Sequence, residues 1–268
     1  MTDGSSSGAS HSRDQASSNG MHGETGCEIR QLSASLEEVR QLLASLAWDV
    51  RKLVPEILTE TQALQQLLGR YAPQEPLPNV SGWAMKPTGL VVLLSCVDSV
   101  KPGLVVELGA GTSTLWIARA LKEQGSGRLI SFEHQEQYAA RYQRMLVAHG
   151  LDDCAEVRYT PLVNVDTPRG PRKWYDLDPG SIGGEIELLL VDGPPATTDE
   201  HARYPALPLL RRVLAAEAYV VVDDANRRAE TEMIAFWQEE EPGLERLERD
   251  QNGLAVLRLT GMQRRIES

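Results

Sequence analysis

From Ile29 onward the large apolar residues fall at Ile29, Leu32, Leu36, Val39, Leu43, Leu46, Val50, Leu53 and Ile57, in alternating steps of three and four. That spacing is a heptad seam along one side of a helix, and it resumes at Leu64 and Leu67. Glu37, Glu38, Arg40, Gln41, Asp49 and Arg51 occupy the other faces, as a solvated helix requires. The pattern predicts a helical segment over residues 28–70, which Pro55 should bend or break in two. Such a stripe has two uses: packing on the chain's own domain, or pairing with a second copy in a coiled coil. The periodicity alone leaves both open.

Before this segment, residues 1–27 are rich in serine and glycine with almost nothing large and apolar, which predicts a disordered tail. After it, Pro73, Pro76 and Pro78 mark residues 71–86 as an extended connector, and Pro87 suits the first turn of a helix running to about Val100. Strand and helix patterns then alternate. Strands are expected at Leu104–Leu108, Arg128–Phe132, Ala155–Tyr159, Glu187–Val191 and Tyr219–Val222, with two more near Leu244–Glu248 and Leu254–Leu259. Helices are expected at Ser113–Glu123, Gln135–His149, Arg203–Ala215 and Arg227–Glu240. The alternation predicts an α/β domain over residues 87–262, a doubly wound, mostly parallel sheet with helices on both faces.

Composition narrows the partners. The net charge of -11, from 27 basic and 38 acidic residues, disfavours nucleic acid and anionic membrane surfaces, both of which attract lysine and arginine. No apolar run approaches the length of a membrane span, and no signal peptide is evident at the start. Cys27, Cys96 and Cys154 show neither disulfide nor zinc spacing, so a reducing, cytoplasmic setting is expected and the Asn79-Val80-Ser81 sequon is coincidental.

Open α/β sheets bind ligands at the carboxyl ends of their strands. At the first such end stands Glu107-Leu108-Gly109-Ala110-Gly111-Thr112-Ser113-Thr114, a glycine turn opening a helix and a candidate cofactor cradle. Thr114 stands where a dinucleotide fingerprint places its third glycine, and Glu107 would repel a pyrophosphate. Glu133 ends the next strand, placed to accept ribose hydroxyls or else merely to favour the dipole of the helix that follows, with His134 beside it as an adenine-side contact. Asp192 and the pair Asp223-Asp224 follow two further strands; if those strands are neighbours, three carboxylates meet at one rim. Such a trio calls for a hard divalent ion such as Mg²⁺, or for one acid to be protonated. Alternatively, Asp192 binds ligand while Asp223 or Asp224 caps a helix. His201, after Asp199 and Glu200, is the candidate general base alongside Asp192. The long stretch Thr160–Ile186, with Arg169, Arg172, Lys173, Trp174 and Tyr175, has the character of a lid over an acceptor, and Trp83 is a second candidate cover.

Together the Glu107-Leu108-Gly109-Ala110-Gly111 turn, Glu133 and Asp192 resemble the Rossmann-like class I S-adenosylmethionine-dependent methyltransferases. Asp192 with Asp223-Asp224 is similar to the acid set of their cation-dependent O-methyltransferases acting on catechols or sugars, although Pro194 and Pro195 stand where those enzymes carry a proton acceptor. Lys173-Trp174-Tyr175-Asp176 and Ala202-Arg203-Tyr204-Pro205-Ala206-Leu207-Pro208-Leu209-Leu210 resemble a bacterial subgroup with a helical N-terminal extension. The resemblance implies S-adenosylmethionine as cofactor, Mg²⁺ assistance and a small-molecule or glycan hydroxyl as acceptor, while the heptad seam allows a homo-oligomer through residues 28–70. A nicotinamide-dependent oxidoreductase, or a coiled-coil interaction protein with a relic fold, are the alternatives.

Overall fold

The computed structural model describes residues 14–78, 82–249 and 253–261, with side chains from Arg30 onward. The first thirteen residues of the expected tail and the Asn79-Val80-Ser81 sequon lie outside the described residues. The chain divides into two compact units at Leu58 and Thr59.

One helix, α1, runs from Asp14 to Arg70. Two expectations change here. Residues 14–27, read as tail, are helical, since adding a residue to an existing helix costs far less than starting one. Pro55 lies inside the helix without ending it. In the heptad frame it falls on the face opposite the seam, where water can take the carbonyl it leaves unbonded. In the first unit the seam is exposed: Leu36 shows 72 % of its surface and Leu46 59 %.

The second unit begins within the last turns of α1, where the same stripe turns inward. Leu67 and Tyr71 are buried, and the Tyr71 hydroxyl donates to Asp98 at 2.7 Å. Glu60, at a seam position, accepts both the backbone N–H and the hydroxyl of Thr88, at 2.9 and 2.8 Å, at the start of α2 (Pro87–Val100). A carboxylate there satisfies an orphan N–H and complements the positive helix end.

The sheet has seven strands: β1 (Leu104–Leu108), β2 (Arg128–Glu133), β3 (Ala155–Tyr159), β6 (Ile186–Val191), β7 (Leu214–Val222), β8 (Leu244–Arg249) and β9 (Ala255–Leu259). Its order is β3-β2-β1-β6-β7-β9-β8, with the first five parallel and β9 antiparallel to both neighbours. The central strands are buried on both faces, which is why they read as continuous apolar runs. On one face α2 and α3 (Thr112–Gln124) pack through Leu90, Leu93, Trp116 and Ile117. On the other, α6 (Arg228–Glu240) packs through Met233, Ile234 and Trp237. α4 (Glu136–Ala148) links β2 to β3.

Two further expectations shift. The helix expected over Arg203–Ala215 shortens to α5 (Ala206–Leu210), because Pro205 and Pro208 restrict it and Leu214 is drawn into β7 opposite Ile186. The stretch Thr160–Ile186 holds a hairpin of β4 (Leu162–Val165) and β5 (Arg172–Tyr175). Its Trp174 and Tyr175 are core residues, and Arg169 is pinned to Glu239 and Glu240 of α6 at 2.6 Å each. Trp83, by contrast, is exposed. Among the described residues no helix is long and apolar enough to cross a membrane.

Glu60→Ala should destabilise the second unit by about 1–2 kcal/mol, the worth of a helix cap. An unchanged urea midpoint would show that this cap contributes nothing.

Candidate active site

The register aligns the carboxyl edge. Leu108 pairs with Phe132 and Val191, and Val191 with Val222. The next residues along each strand are therefore Gly109, Glu133, Asp192 and Asp223, on four adjacent strands about 4.8 Å apart. This edge includes the β1–β6 junction where the strand order reverses, the usual place for a ligand crevice.

The glycine turn is held from below by a buried acid. Glu107 exposes 0 % of its surface; Ser113 donates to Oε1 at 2.5 Å, and Thr114 and Ser131 donate to Oε2 at 2.5 and 2.6 Å. Thr114 also accepts the Gly111 N–H at 3.0 Å, so one side chain ties the turn to the strand. Burial raises the Glu107 pKa to about 7 against the opposing pull of these hydroxyls. Glu107, expected to face a ligand, is thus a strut inside the fold, as are Ser113 and Thr114. Gly109 has φ +100, and a Cβ there would stand 3.2 Å from the backbone of Asp192 and Gly193. A Cβ on Gly193 would in turn collide with the Tyr175 hydroxyl. Glycine is required at 109 for both reasons.

Glu133 is nearly buried, and its Oε1 accepts the Gln135 N–H at 2.7 Å, just ahead of α4. No hydrogen bond to Oε2 is present among the described residues. His134 Nδ1 lies 3.0 Å from Glu133 Oε1, and its ring meets the edge of Tyr175. The Tyr175 hydroxyl is buried with no hydrogen-bond partner among the described residues. Burial, then the charges of Glu133 and Asp192, push its pKa well up, so it is a neutral donor aimed among acids.

Asp192, Asp223 and Asp224 converge: each offers an oxygen within 4.8 Å of the others. Asp224 sits in the left-handed region at φ 58, which aspartate tolerates. Arg203, which sequence reasoning missed, lies behind them. It is 4 % exposed, donates to Asp192 Oδ1 and Asp224 Oδ2 at 3.1 Å each, and holds the Asp192 and Asp223 carbonyls at 2.9 and 2.8 Å. Glu230 is 4.0 Å from its Nε, and Arg227 reaches Asp224 Oδ2 at 2.7 Å. The signal available was an arginine in an apolar stretch, since a buried guanidinium needs acids around it. Burial and the neighbouring carboxylates raise the pKa of both Asp192 and Asp223.

The donor set fits a hard divalent ion. Arg203, Arg227 and the Asp224 N–H, which donates to Asp223 Oδ1, engage one oxygen of each aspartate and leave the other. Two guanidinium groups against four carboxylates leave a formal deficit that a dication would cancel. His201 is placed elsewhere on the rim: its Nε2 meets Glu232 of α6 at 2.9 Å and its ring packs on Phe236. Asp199, expected to act on it, accepts the Lys173 N–H instead.

Residues 106–225 match a family model described as a methyltransferase domain. No curated protein matches the chain. Among solved structures, cofactor-bound Rv0187 from MTB is similar over 78 % of this chain and 97 % of its own, with 23 % identity and a TM-score of 0.53. An O-methyltransferase from Bacillus cereus in complex with SAH covers 75 % and 90 % at 17 % identity and a TM-score of 0.51. The SAH-bound methyltransferase PaMTH1 of Podospora anserina covers 74 % and 88 % at 14 % identity and a TM-score of 0.50. Over residues 106–225 the chain therefore matches a methyltransferase domain, and its fold is similar to that of these solved methyltransferases.

The Glu107 strut gives a pH signature. Its pKa is raised on folding, so its stabilising contribution is full below about 4.5 and is lost as pH rises through about 7. Glu107→Gln should remove a decline of roughly 3 kcal/mol across that window, at about 1.4 kcal/mol per pKa unit. Denaturation at pH 5 and pH 8 measures it; parallel profiles for the two proteins would refute the assignment.

Proposed function

We propose that the chain transfers a methyl group from S-adenosylmethionine to a hydroxyl of a small molecule, sugar or glycolipid, with a divalent ion such as Mg²⁺ assisting. The observation that carries this reading is the shared edge: a glycine turn, a ribose-type acid and a three-aspartate rim on four adjacent strand ends.

In this reading the turn Gly109 to Thr112 and the remaining oxygen of Glu133 hold the cofactor, Ser113 and Thr114 fix that turn from within, and His134 lies on the adenine side. Bound S-adenosylmethionine supplies an electrophilic methyl group, so the protein's work is alignment and disposal of the hydroxyl proton. Asp192, Asp223 and Asp224 would hold the ion, which supplies Lewis acidity toward the acceptor oxygen. Arg203 keeps the three acids from spreading apart. Asp192 acts on the acceptor through the ion, and His201 is the candidate general base; with Glu232 on Nε2, its imidazole has Nδ1 for the proton. Thr114 argues against the nicotinamide alternative, because its hydroxyl joins Glu107 to Gly111 and a glycine could not. A cytoplasmic setting, on the cysteine spacing, and self-association through residues 28–70 complete the reading.

Incubating the full chain with labelled S-adenosylmethionine and a panel of cell extracts should yield a product labelled at a new methyl ether. EDTA should stop the transfer and Mg²⁺ restore it. Asp192→Asn should lower kcat by about 100-fold or more while cofactor affinity stays within a few-fold. Full turnover in EDTA removes the metal from the reading; cofactor binding without transfer to any extract removes the activity.

A further inference from the structure

We infer that the exposed seam of α1 is a dimerisation surface whose partner is a second copy of this chain, in a parallel, two-stranded coiled coil. This deepens the self-association read for residues 28–70 and is independent of the chemistry of the domain.

The helix uses its stripe in two different ways. From Glu60 on, the stripe serves the chain itself: Glu60 caps α2, and Leu67 is 3 % exposed in the core. From Leu32 to Leu53 the same stripe faces outward, with every seam residue at least half exposed, from Val50 at 50 % to Leu36 at 72 %. A continuous apolar face of this length on a soluble helix marks an interface.

The seam also says what covers it. Leu36, Leu43 and Val50 hold the first heptad position between Ile29 and Ile57, so three of its five residues are β-branched. Leu32, Val39, Leu46 and Leu53 hold the second, and three of these four are leucine. β-Branched residues at the first position with leucine at the second favour two parallel strands, where each side chain fills a hole on an identical helix. Like charges do not oppose this: of the flanking positions Ser33, Ser35, Arg40, Leu42, Ala47, Asp49 and Val54, the two charged ones fall opposite Ser35 and Val54 across a parallel pair. At about 25 cal/mol per Å² and about 1.5–3 kcal/mol for each side chain of this size, two such faces with Leu42 and Val54 amount to on the order of 1,000 Å². That reaches the scale of a specific interface.

Sedimentation equilibrium of the full chain at micromolar concentration should give a dimer. Leu36→Asn with Leu43→Asn should weaken it by about 100-fold, the equivalent of roughly 1.4 kcal/mol at each position. Gln41→Glu, on the opposite face, should leave it unchanged. Circular dichroism and binding of S-adenosylmethionine by the double variant establish that the chain remains folded. In a background with Cys27, Cys96 and Cys154 replaced by serine, Leu36→Cys should form an intermolecular disulfide on oxidation, whereas Gln41→Cys should not. A monomeric wild-type chain, or a dimer indifferent to Leu36 and Leu43, overturns the proposal. A trimer or tetramer overturns its two-stranded form, and a dimer that fails to cross-link at position 36 overturns the parallel register.

Discussion

Glu107 lies at the end of β1 with no exposed surface, and three hydroxyls from α3 and β2 close on its two oxygens. A carboxylate taken from water is costly unless its lone pairs are met, and here each oxygen is. The consequence is geometric. Ser113 and Thr114 can reach Glu107 only if the chain reverses tightly between strand and helix, and Thr114 completes that reversal by taking the Gly111 N–H. The turn brings Gly109 against the backbone of Asp192 and Gly193, so β1 and β6 end level. The edge is built outward from this buried acid, which has no exposed surface of its own.

The second constraint is charge. The carboxyl edge gathers Glu133, Asp192, Asp223 and Asp224, and the fold balances this partly with its own cations. Arg203 is buried where it can hold two aspartate side chains and two backbone carbonyls at once, which fixes both β6 and β7 at their ends. Arg203 and Arg227 together do not discharge the cluster, as the raised pKa values of Asp192 and Asp223 express. Tyr175, a neutral phenol without a partner among the described residues, adds a donor to a crowded set of acceptors.

The sheet was legible in the sequence because its strands are short, continuous apolar runs followed by glycine or acid, and that pattern has few other readings. β1, β3 and α2 carry the same end residues in pattern and in structure. The acids on the strand ends were legible for the same reason. What escaped was set by tertiary contact. Glu107 has the composition of a ligand contact, and the turn that brings Ser113 and Thr114 back to it, with Ser131 from the neighbouring strand, makes it a strut. Arg203 sits in a segment whose spacing reads as helix, yet Pro205 and Pro208 shorten that helix and leave the guanidinium to turn inward. Trp174 and Tyr175 read as lid aromatics, but the β4–β5 hairpin carries them into the core. The heptad stripe was ambiguous because it does both things: its end packs on the domain, and its longer part stays exposed.

Isothermal titration calorimetry of the full chain against S-adenosylmethionine and, separately, NADH is the most direct test of the central claim, that this carboxyl edge is built for a sulfonium nucleoside. The account predicts one saturable S-adenosylmethionine site per chain, weakened by about 10- to 100-fold in Glu133→Ala, the range expected for hydrogen bonds to a charged group, and no binding of NADH. Binding of NADH with no heat from S-adenosylmethionine would contradict it.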